Sequence, residues 1–357
     1  MTARYKAEDL QQFTASLFTG AGLAPERAAV LAEVFLEADL MGFSTHGLNR
    51  VPHNLRWLQG GESRVDGEPQ VLADRGALFN WDAGFLPGPW VVRLALDQAL
   101  ARVAEHGVVT ATLRRSQHIA CLAAYLPRIV EAGYAVLMTC STPAENTVSA
   151  FGGIDPLFSA NPIAFAAPGE DCPLLFDISM SITAGGYVAR AQREGKRLPE
   201  PCLKNRAGEI TDDPAALGEG GSIMPIGGAA HGYKGAALSV FTEVLSMALG
   251  GYGRADAAAR NDGEANSVFL QVIDPGAFTT PENFRRQLGA LQSLCEQSAV
   301  PAGQPPARFP GRRAWELRQQ QLAQGVDLYP GIMADLAPWA EQFAIPLPLA
   351  LQAEGGL

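Results

Sequence analysis

The stretch MGFSTHGLNRVPHN, Met41–Asn54, places two histidines, an arginine and a threonine between two segments with helical spacing. His46 and Arg50 are four residues apart, so a helix would bring them to one side. Pro52 removes a helical hydrogen bond unless it stands in the first turn. The helix therefore either begins near Asn49 or is kinked, and His46 lies on the preceding loop or in the first turn. On spacing alone, this stretch fits a polar helix end as well as a binding site.

The segments around this stretch predict helices at both chain ends. A first helix ends near Gly20, and a second begins with Pro25 in its first turn and ends at Gly42. From about Val71 the pattern changes to alternating strands and helices, and from Pro281 onward it is helical again. The sequence therefore predicts an α/β fold in which helical ends surround a mixed middle.

Three segments of the middle carry more specific expectations. The order VVTATL, RRSQH, short helix, YAVLMTC is typical of a βαβ unit. The segment HGYKGAALSVFTEVLSMALGG is expected to form a helix with Leu238, Phe241, Leu245 and Ala248 in register on one face. A polar region, 190–221, is expected to be mobile.

Composition excludes several classes of function. The 357 residues carry a formal net charge of −10 and no block of lysine and arginine, which argues against nucleic-acid binding. No apolar run approaches the span of a bilayer, so no membrane association is expected, and the polar start is not that of a signal peptide. The five cysteines are scattered and form no C-x-x-C pair, which indicates reduced thiols and a cytoplasmic protein.

Common catalytic and nucleotide-binding motifs are missing. The sequence has no H-E-x-x-H, so no metal site is predicted, and no G-x-S-x-G or G-x-G-x-x-G. GGAAHGYKG, Gly227–Gly235, resembles a P-loop but has the wrong spacing before Lys234. Its glycines and lysine fit an anion site or an ordinary helix entry. His118, between a strand and a helix, fits a ligand-binding residue or a histidine bonded to a backbone turn.

Seven motifs in a fixed order resemble the malate/L-lactate dehydrogenase family that does not use a Rossmann fold. DLMGFSTHGLNRVP resembles the family signature D-L-x-G-x-x-[ST]-H-G-x-x-R-x-P, and RRSQHIA resembles its second histidine motif. STPA with GGIDPLFSANPIAFAAP, then FDISMS, GYKGAAL, VIDPGAF and FPGRRAW follow in the family's order. The resemblance extends from about Ala7 to Gly325.

The resemblance implies an oxidoreductase that uses NAD or NADP. Such an enzyme interconverts a small 2-oxo acid, or a cyclic imino acid, and the matching 2-hydroxy or amino acid, typically as a homodimer. It also implies a helical domain from residues 1–75 and 285–357, and a non-Rossmann nucleotide-binding domain from residues 76–284 with a mixed, largely antiparallel sheet. A non-catalytic protein that binds small acids on the same scaffold is the alternative.

The resemblance also assigns roles to individual residues. His46 resembles the proton donor and acceptor at the substrate oxygen, and Arg50 the residue that binds the substrate carboxylate. His118 resembles the second active-site histidine, which some members use as the acid and base, and Thr45 keeps a hydroxyl near the reacting atom. The residues implied in cofactor binding are Ser141, Phe176, Asp177, Ile178, Lys234, Gly235, Pro310, Gly311 and Arg312.

Four features depart from the family pattern, one of which is DISMS in place of the commoner D-x-A-[TS]-S. Asn54 stands where many members have tyrosine, so an altered substrate pocket is expected. Arg312 replaces the usual glutamate of the P-G-E turn, and a cation there would favour the 2′-phosphate of NADP. His231 comes near the cofactor loop, with no family role.

Overall fold

The computed structural model describes residues 3–257 and 265–351. The α-helices of this part of the chain are α1 (Ala7–Gly20), α2 (Pro25–Leu40), α3 (Val51–Gly60), α4 (Gly88–His106), α5 (Leu126–Glu131), α6 (Gly185–Arg193), α7 (Ala215–Gly218), α8 (Gly228–His231), α9 (Tyr233–Glu243), α10 (Arg254–Ala257), α11 (Pro281–Glu296), α12 (Arg312–Gln324) and α13 (Ile332–Gln342). The 3-10 helices are Leu48–Arg50, Leu122–Tyr125 and Pro275–Ala277, and Val244–Ala248 continues α9 as a π-helix.

The strands are short outside one long central group. They are β1 (Arg4–Tyr5), β2 (Gln70–Asp74), β3 (Leu78–Asp82), β4 (Val108–Ser116), β5 (Ala135–Ser141), β6 (Val148–Ser149), β7 (Pro156–Phe158), β8 (Ile163–Ala167), β9 (Leu174–Ile178), β10 (Leu203–Lys204), β11 (Ile210–Thr211), β12 (Ser222–Ile223), β13 (Asn266–Ile273) and β14 (Val326–Asp327).

The main sheet has seven strands in the order β2-β3-β4-β13-β5-β8-β9. β3 and β4 run parallel, and the other neighbouring strands of this sheet are antiparallel. The predicted α/β class with a mixed, largely antiparallel sheet is confirmed. No helix within the described residues is both long and apolar enough to span a membrane.

The strand order corrects the expected βαβ unit. β4 and β5 are not neighbours, because β13 lies between them and is antiparallel to both. The parallel unit is β3-α4-β4, with Leu78 paired with Thr110 and Asp82 with Arg114. The long α4 makes this crossover, whereas the short α5 links two strands separated by a third.

One hydrophobic core joins the helical ends to the main sheet. Phe18 of α1 and Phe35 of α2 stack with ring centroids 5.9 Å apart, and Leu113 of β4 belongs to the same buried cluster. β1 pairs with β14 near the C-terminus, so the two chain ends meet. β2 pairs with β3, and the expected domain boundary at residues 75 and 76 therefore falls inside this hairpin.

A second, five-stranded sheet has its own small core. Its order is β11-β10-β12-β6-β7, and Val148, Val188, Leu203 and Ile223 pack beneath it. Part of the region expected to be mobile, 190–221, forms regular structure here, as the end of α6 with β10, β11 and α7. The sequence did not reveal these elements because strands of two residues show no periodicity.

The apolar face of α9 lies on the outside of the molecule. Leu238 and Phe241 are exposed, whereas Ser239, Thr242 and Ser246 are buried. Their hydroxyls can be buried without loss of hydrogen bonding, because each donates to the backbone carbonyl four residues earlier. They therefore fit closely against the sheet, and the larger apolar side chains face outward.

Candidate active site

His46 lies on a tight loop between α2 and α3. The His46 N–H donates to the Phe43 carbonyl at 2.9 Å, and the 3-10 turn Leu48–Arg50 follows. α3 then begins at Val51 with Pro52 next in the chain, where its missing N–H costs no hydrogen bond. Of the two arrangements that the sequence left open, His46 on the preceding loop is the one observed.

The buried carboxylate of Asp39 anchors this loop. Its Oδ2 accepts a hydrogen bond from the Leu48 N–H at 2.7 Å, and Asp39 is only 5% exposed to solvent. A Cβ at Gly47 would lie 2.3 Å from this carboxylate, so a larger residue there would displace the loop. The sequence reasoning did not assign a role to Asp39, although it is the first residue of the quoted signature.

Asp39→Asn should stabilise the protein at alkaline pH. Burial raises the pKa of Asp39 from 3.8 to about 7, although the Leu48 hydrogen bond opposes this. The folded state keeps a proton that the unfolded chain loses, so this contribution to stability falls as pH rises from about 4 to about 7. Asparagine keeps the acceptor oxygen without a charge. We expect Tm to rise by at least about 2 °C at about pH 8 and to change little near pH 4.

Calorimetry of the variant and of Asp66→Asn, an exposed aspartate, would check this expectation. Asp66→Asn should leave Tm unchanged at both pH values. A lower Tm for Asp39→Asn at alkaline pH would contradict the argument, because it would mean that the ionised carboxylate stabilises the loop.

The structure brings together His46, His118, Thr45 and Arg50. The two imidazole rings stack with centroids 5.8 Å apart and an interplanar angle of 20°. Thr45 Oγ1 is 2.8 Å from His46 Nδ1, and Arg50 Nε donates to the Thr45 carbonyl at 3.2 Å. Burial and the neighbouring Arg50 charge lower the pKa of His46 to about 4. The pKa of His118 falls well below its usual value for the same two reasons.

Asn54 supports Arg50 from within α3. The residue is buried, and its Nδ2 donates to the Arg50 carbonyl at 2.9 Å. This bond ties the amide to the helix turn that carries the guanidinium. A cleft of about 380 Å³ opens on the other side of Arg50, between α3 and α13. It is lined by Asn49, Arg50, Pro52, His53, Arg56, Asp335 and Trp339.

The end of β9 lies against the loop that carries His118. Asp177 Oδ2 accepts a hydrogen bond from the Ala123 N–H at 2.8 Å, and burial raises the pKa of Asp177 to about 6. Phe176 is half-buried beside it, and Ile178 is exposed. Of the three strand residues expected at the cofactor, Asp177 is therefore bonded to the short 3-10 helix that follows the His118 loop.

The proline–glycine turn before α12 also reaches β9. The Leu175 N–H donates to the Pro310 carbonyl at 3.3 Å. Gly311 has φ +95°, and a Cβ there would lie 2.7 Å from the Leu175 nitrogen. Only glycine suits both the conformation and the close approach.

Arg312 is paired with two carboxylates. Its Nε donates to Glu296 at 2.5 Å, and its Nη1 lies 3.4 Å from Glu316. The guanidinium would have to leave these partners to bind a 2′-phosphate. The hypothesis that Arg312 favours NADP therefore gains no support from this geometry.

The start of α9 is joined to the segment that follows β9. A Cβ at Gly235 would lie 2.6 Å from the Ile226 nitrogen, and the Ile226 N–H donates to the Met180 carbonyl at 2.9 Å. Lys234 is exposed, as is His231, whose ring centroid lies 6.4 Å from that of Tyr233.

Two buried polar residues support the floor of the site. The Ser141 hydroxyl, at the end of β5, lies 2.9 Å from the Ser246 hydroxyl and is placed to donate to it, because Ser246 donates to the Thr242 carbonyl. Asn266, which the sequence reasoning missed, accepts from the Ile119 N–H at 3.1 Å and donates to Thr142 Oγ1 at 2.8 Å. It thereby joins the His118 loop to the end of β5. An isolated asparagine at the start of a strand carries no sequence signal of such a role.

Known proteins resemble this chain over nearly its full length. The family model described as malate/L-lactate dehydrogenase matches residues 5–337. A ureidoglycolate dehydrogenase (NAD(+)) from Escherichia coli O157:H7 is 30% identical over 346 residues, covering 92% of this chain and 94% of the relative. A (2R)-3-sulfolactate dehydrogenase (NADP(+)) from Chromohalobacter salexigens is 29% identical, covering 95% and 99%.

Solved structures share the fold. The structure of malate dehydrogenase from Entamoeba histolytica superposes with a TM-score of 0.91 at 20% identity, covering 98% of this chain and 100% of the other. The Δ1-piperideine-2-carboxylate reductase from Pseudomonas syringae gives a TM-score of 0.82 at 29% identity, covering 95% and 99%. The match of the family model over most of the chain shows that this protein belongs to the malate/L-lactate dehydrogenase family.

Proposed function

We propose that this protein is an NAD(P)-dependent oxidoreductase that interconverts a small 2-oxo acid and its 2-hydroxy acid, or a cyclic imino acid and its amino acid. The named relatives are dehydrogenases and reductases of such acids with NAD or NADP. The observation that carries the proposal is the stacked His46–His118 pair beside Arg50, next to the end of β9.

The residues supply binding and proton transfer. Arg50 offers a planar guanidinium that can grip a substrate carboxylate through two hydrogen bonds. His46 then protonates the substrate oxygen or nitrogen during reduction and takes the proton back during oxidation. When bound, the nicotinamide supplies or accepts the hydride.

The start of α6 fits an anionic cofactor. α6 begins at Gly185 and has no side-chain cap, so its first N–H groups are available to an anion. A Cβ at Gly185 would meet no atom within 4 Å, and one at Gly186 would lie 3.8 Å from Thr45 Cγ2. The helix therefore opens onto free space beside Thr45. This space, with β9 and the Pro310–Gly311 turn, is where we propose that NAD or NADP binds.

Substrate binding should also prepare His46 for catalysis. The Arg50 charge is one of the two causes that lower the pKa of His46. A substrate carboxylate paired with Arg50 offsets that charge, so the pKa of His46 rises in the complex. His46 thus gains a proton more readily when the substrate is in place.

Two measurements test this function. Fluorescence titration of the full chain with NADH and with NADPH should show saturable binding of at least one cofactor. A panel of 2-oxo acids and cyclic imino acids, assayed with both cofactors, should then identify a substrate. Binding of small acids without turnover of any panel member would instead favour the non-catalytic alternative, and binding of neither cofactor would overturn the proposal.

We also propose that the chain forms a homodimer through the outer face of α9. Monomeric proteins rarely leave large contiguous apolar patches in water. The described residues of this face that are apolar and exposed are Leu238, Val240, Phe241, Val244 and Leu249.

Phe241→Glu should convert the dimer to a monomer. Light scattering after size exclusion should give about twice the 37.8 kDa chain mass for the native protein and the single mass for the variant. Leu294→Glu is the matched control, because Leu294 is an exposed leucine on α11. It should leave the dimer intact. A native protein that is monomeric would contradict the proposal.

Two coarser expectations remain proposals. We propose a cytoplasmic location, which the five free cysteines support, because unpaired thiols suit a reducing compartment. We also retain the division into a helical domain (1–75 with 285–357) and a nucleotide-binding domain (76–284). Limited proteolysis would show whether the two parts separate.

A further inference from the structure

The Nδ1 atoms of the two histidines of the site have different hydrogen-bond partners. His118 Nδ1 accepts a hydrogen bond from the Ala120 N–H at 3.1 Å. A ring nitrogen that accepts an N–H has no proton of its own, so neutral His118 carries its proton on Nε2. A backbone amide cannot reverse this role. His46 Nδ1 instead faces the Thr45 hydroxyl at 2.8 Å. A hydroxyl both donates and accepts, so this contact suits His46 with or without a proton on Nδ1.

The backbone that restrains His118 is itself fixed. Ala120 has φ +64°, a left-handed conformation that persists in a non-glycine residue only where the surroundings impose it. The Ile119 N–H donates to buried Asn266, and the Tyr125 hydroxyl donates to the Ile119 carbonyl at 2.5 Å. These bonds hold Ile119 at both its N–H and its C=O, and that carbonyl belongs to the same peptide group as the Ala120 N–H. The Ala120 N–H therefore stays directed at His118.

The surrounding charges disfavour a second proton on the pair. Two imidazolium rings with centroids 5.8 Å apart would repel each other and the Arg50 guanidinium. The other titratable groups around the pair and its loops include His53, Asp39, Cys121, Tyr125, Asp177 and Glu145. Asp39 and Asp177 have hydrogen bonds to backbone N–H groups, and neither is bonded to an imidazole ring among the described contacts.

We propose that His118 remains neutral throughout the reaction and donates its Nε2–H to the substrate oxygen, while His46 alone gains and loses the transferred proton. This assignment rests on the proposed function and deepens it. In reduction, the substrate carbon gains a hydride from the reduced nicotinamide and the substrate oxygen gains a proton from His46. Solvent then reprotonates His46. The hydrogen bond from His118 stabilises the developing negative charge on that oxygen without being broken.

Nitrogen NMR of the histidine side chains tests the tautomer directly. The chain has five histidines, so selective ¹⁵N labelling of the full protein gives few signals, and His46→Ala and His118→Ala assign the two of interest. We expect His118 to show an unprotonated Nδ1 and a protonated Nε2 from about pH 5 to about pH 8, with and without NADH. An imidazolium or an Nδ1–H tautomer at His118 in this range would overturn the proposal.

Two substitutions of His118 test its role in the reaction. His118→Gln places an N–H near the position of Nε2 but cannot carry a proton, and it should keep kcat within about tenfold of the native value with the same pH profile. His118→Asn can accept from Ala120 but does not reach the Nε2 position, and it should lower kcat by about 10²- to 10³-fold. Equal losses in both variants, or a lost pH dependence in His118→Gln, would show that His118 transfers the proton.

The tautomer assignment of His118 and the proposed function can be contradicted independently. Cofactor titration of the same labelled samples reports whether NADH binds, and the tautomer of His118 is read without turnover. A neutral Nε2–H His118 in a protein that binds no cofactor would contradict the function and leave the tautomer assignment standing.

Discussion

Replacing His46 with alanine should lower kcat by about 10²- to 10⁴-fold, because the variant loses the group that transfers a proton to and from the substrate. The ring lies beside Thr45 and stacks on His118, and it is not among the groups proposed to hold the cofactor at the start of α6, along β9 and at the Pro310–Gly311 turn. Affinity for NADH or NADPH should therefore stay within about threefold of the native value. Steady-state kinetics with the substrate found in the panel, together with cofactor titration, would measure both quantities.

His106→Ala is the matched control for this prediction, because His106 ends α4 on the surface. It should leave kcat and cofactor affinity unchanged. A His46→Ala variant with kcat within tenfold of the native enzyme would exclude His46 as the proton donor.

The low pKa of His46 should determine how the rate in each direction depends on pH. Reduction needs protonated His46, so its kcat/KM should rise as pH falls through the neutral range toward about 4. Oxidation needs neutral His46, so its kcat/KM should be flat near neutral pH and decrease as pH approaches about 4. Bound substrate offsets the Arg50 charge and so raises the pKa of His46 in the complex. The apparent pKa in the profile of kcat should therefore be higher than that in the profile of kcat/KM.

Replacing Arg50 with alanine should lower kcat/KM by about 10²- to 10³-fold, mostly through KM, because the substrate carboxylate loses its charged partner. Arg50→Lys keeps the charge without the planar pair of donors and should give an intermediate loss. Arg50→Ala should also raise the apparent pKa of His46 in the profile of kcat/KM against pH, because Arg50 lowers the pKa of that ring.

Kinetics with a carboxylate substrate over a range of pH would measure both effects. The control is Arg313→Ala, an exposed arginine on α12, which should leave KM and the pH profile unchanged. If Arg50→Ala raised KM by less than about fivefold, another cation would have to bind the carboxylate.

Local sequence patterns predicted those features of the fold that are set by residues close together along the chain. The start of α2 at Pro25, the position of His46 before α3 and the helical chain ends follow from proline chemistry and apolar spacing, and the structure contains them. The sequence did not show which face of α9 is buried: its apolar residues face outward and its serines pack inward. Periodicity identifies an apolar face but does not say whether the same chain or another surface covers it.

The candidate site was only partly visible in the sequence. His46, Arg50 and His118 were found through motifs, and the structure brings them together. Asp39 and Asn266 were missed, because each acts on a backbone N–H far away in the chain. The pairing of Arg312 with Glu296 was equally hidden, since the partner belongs to another helix.

The sequence by itself determined the residue types that the chemistry needs and the places where helices begin and end, because both depend on groups close together along the chain. Only the tertiary structure decided which strands are neighbours, which face of α9 is covered, and how each histidine is held. Those properties depend on contacts between distant segments. The hydrogen bond from Ala120 to His118 is local, yet it forms in a strained conformation that Asn266 and Tyr125 help to impose.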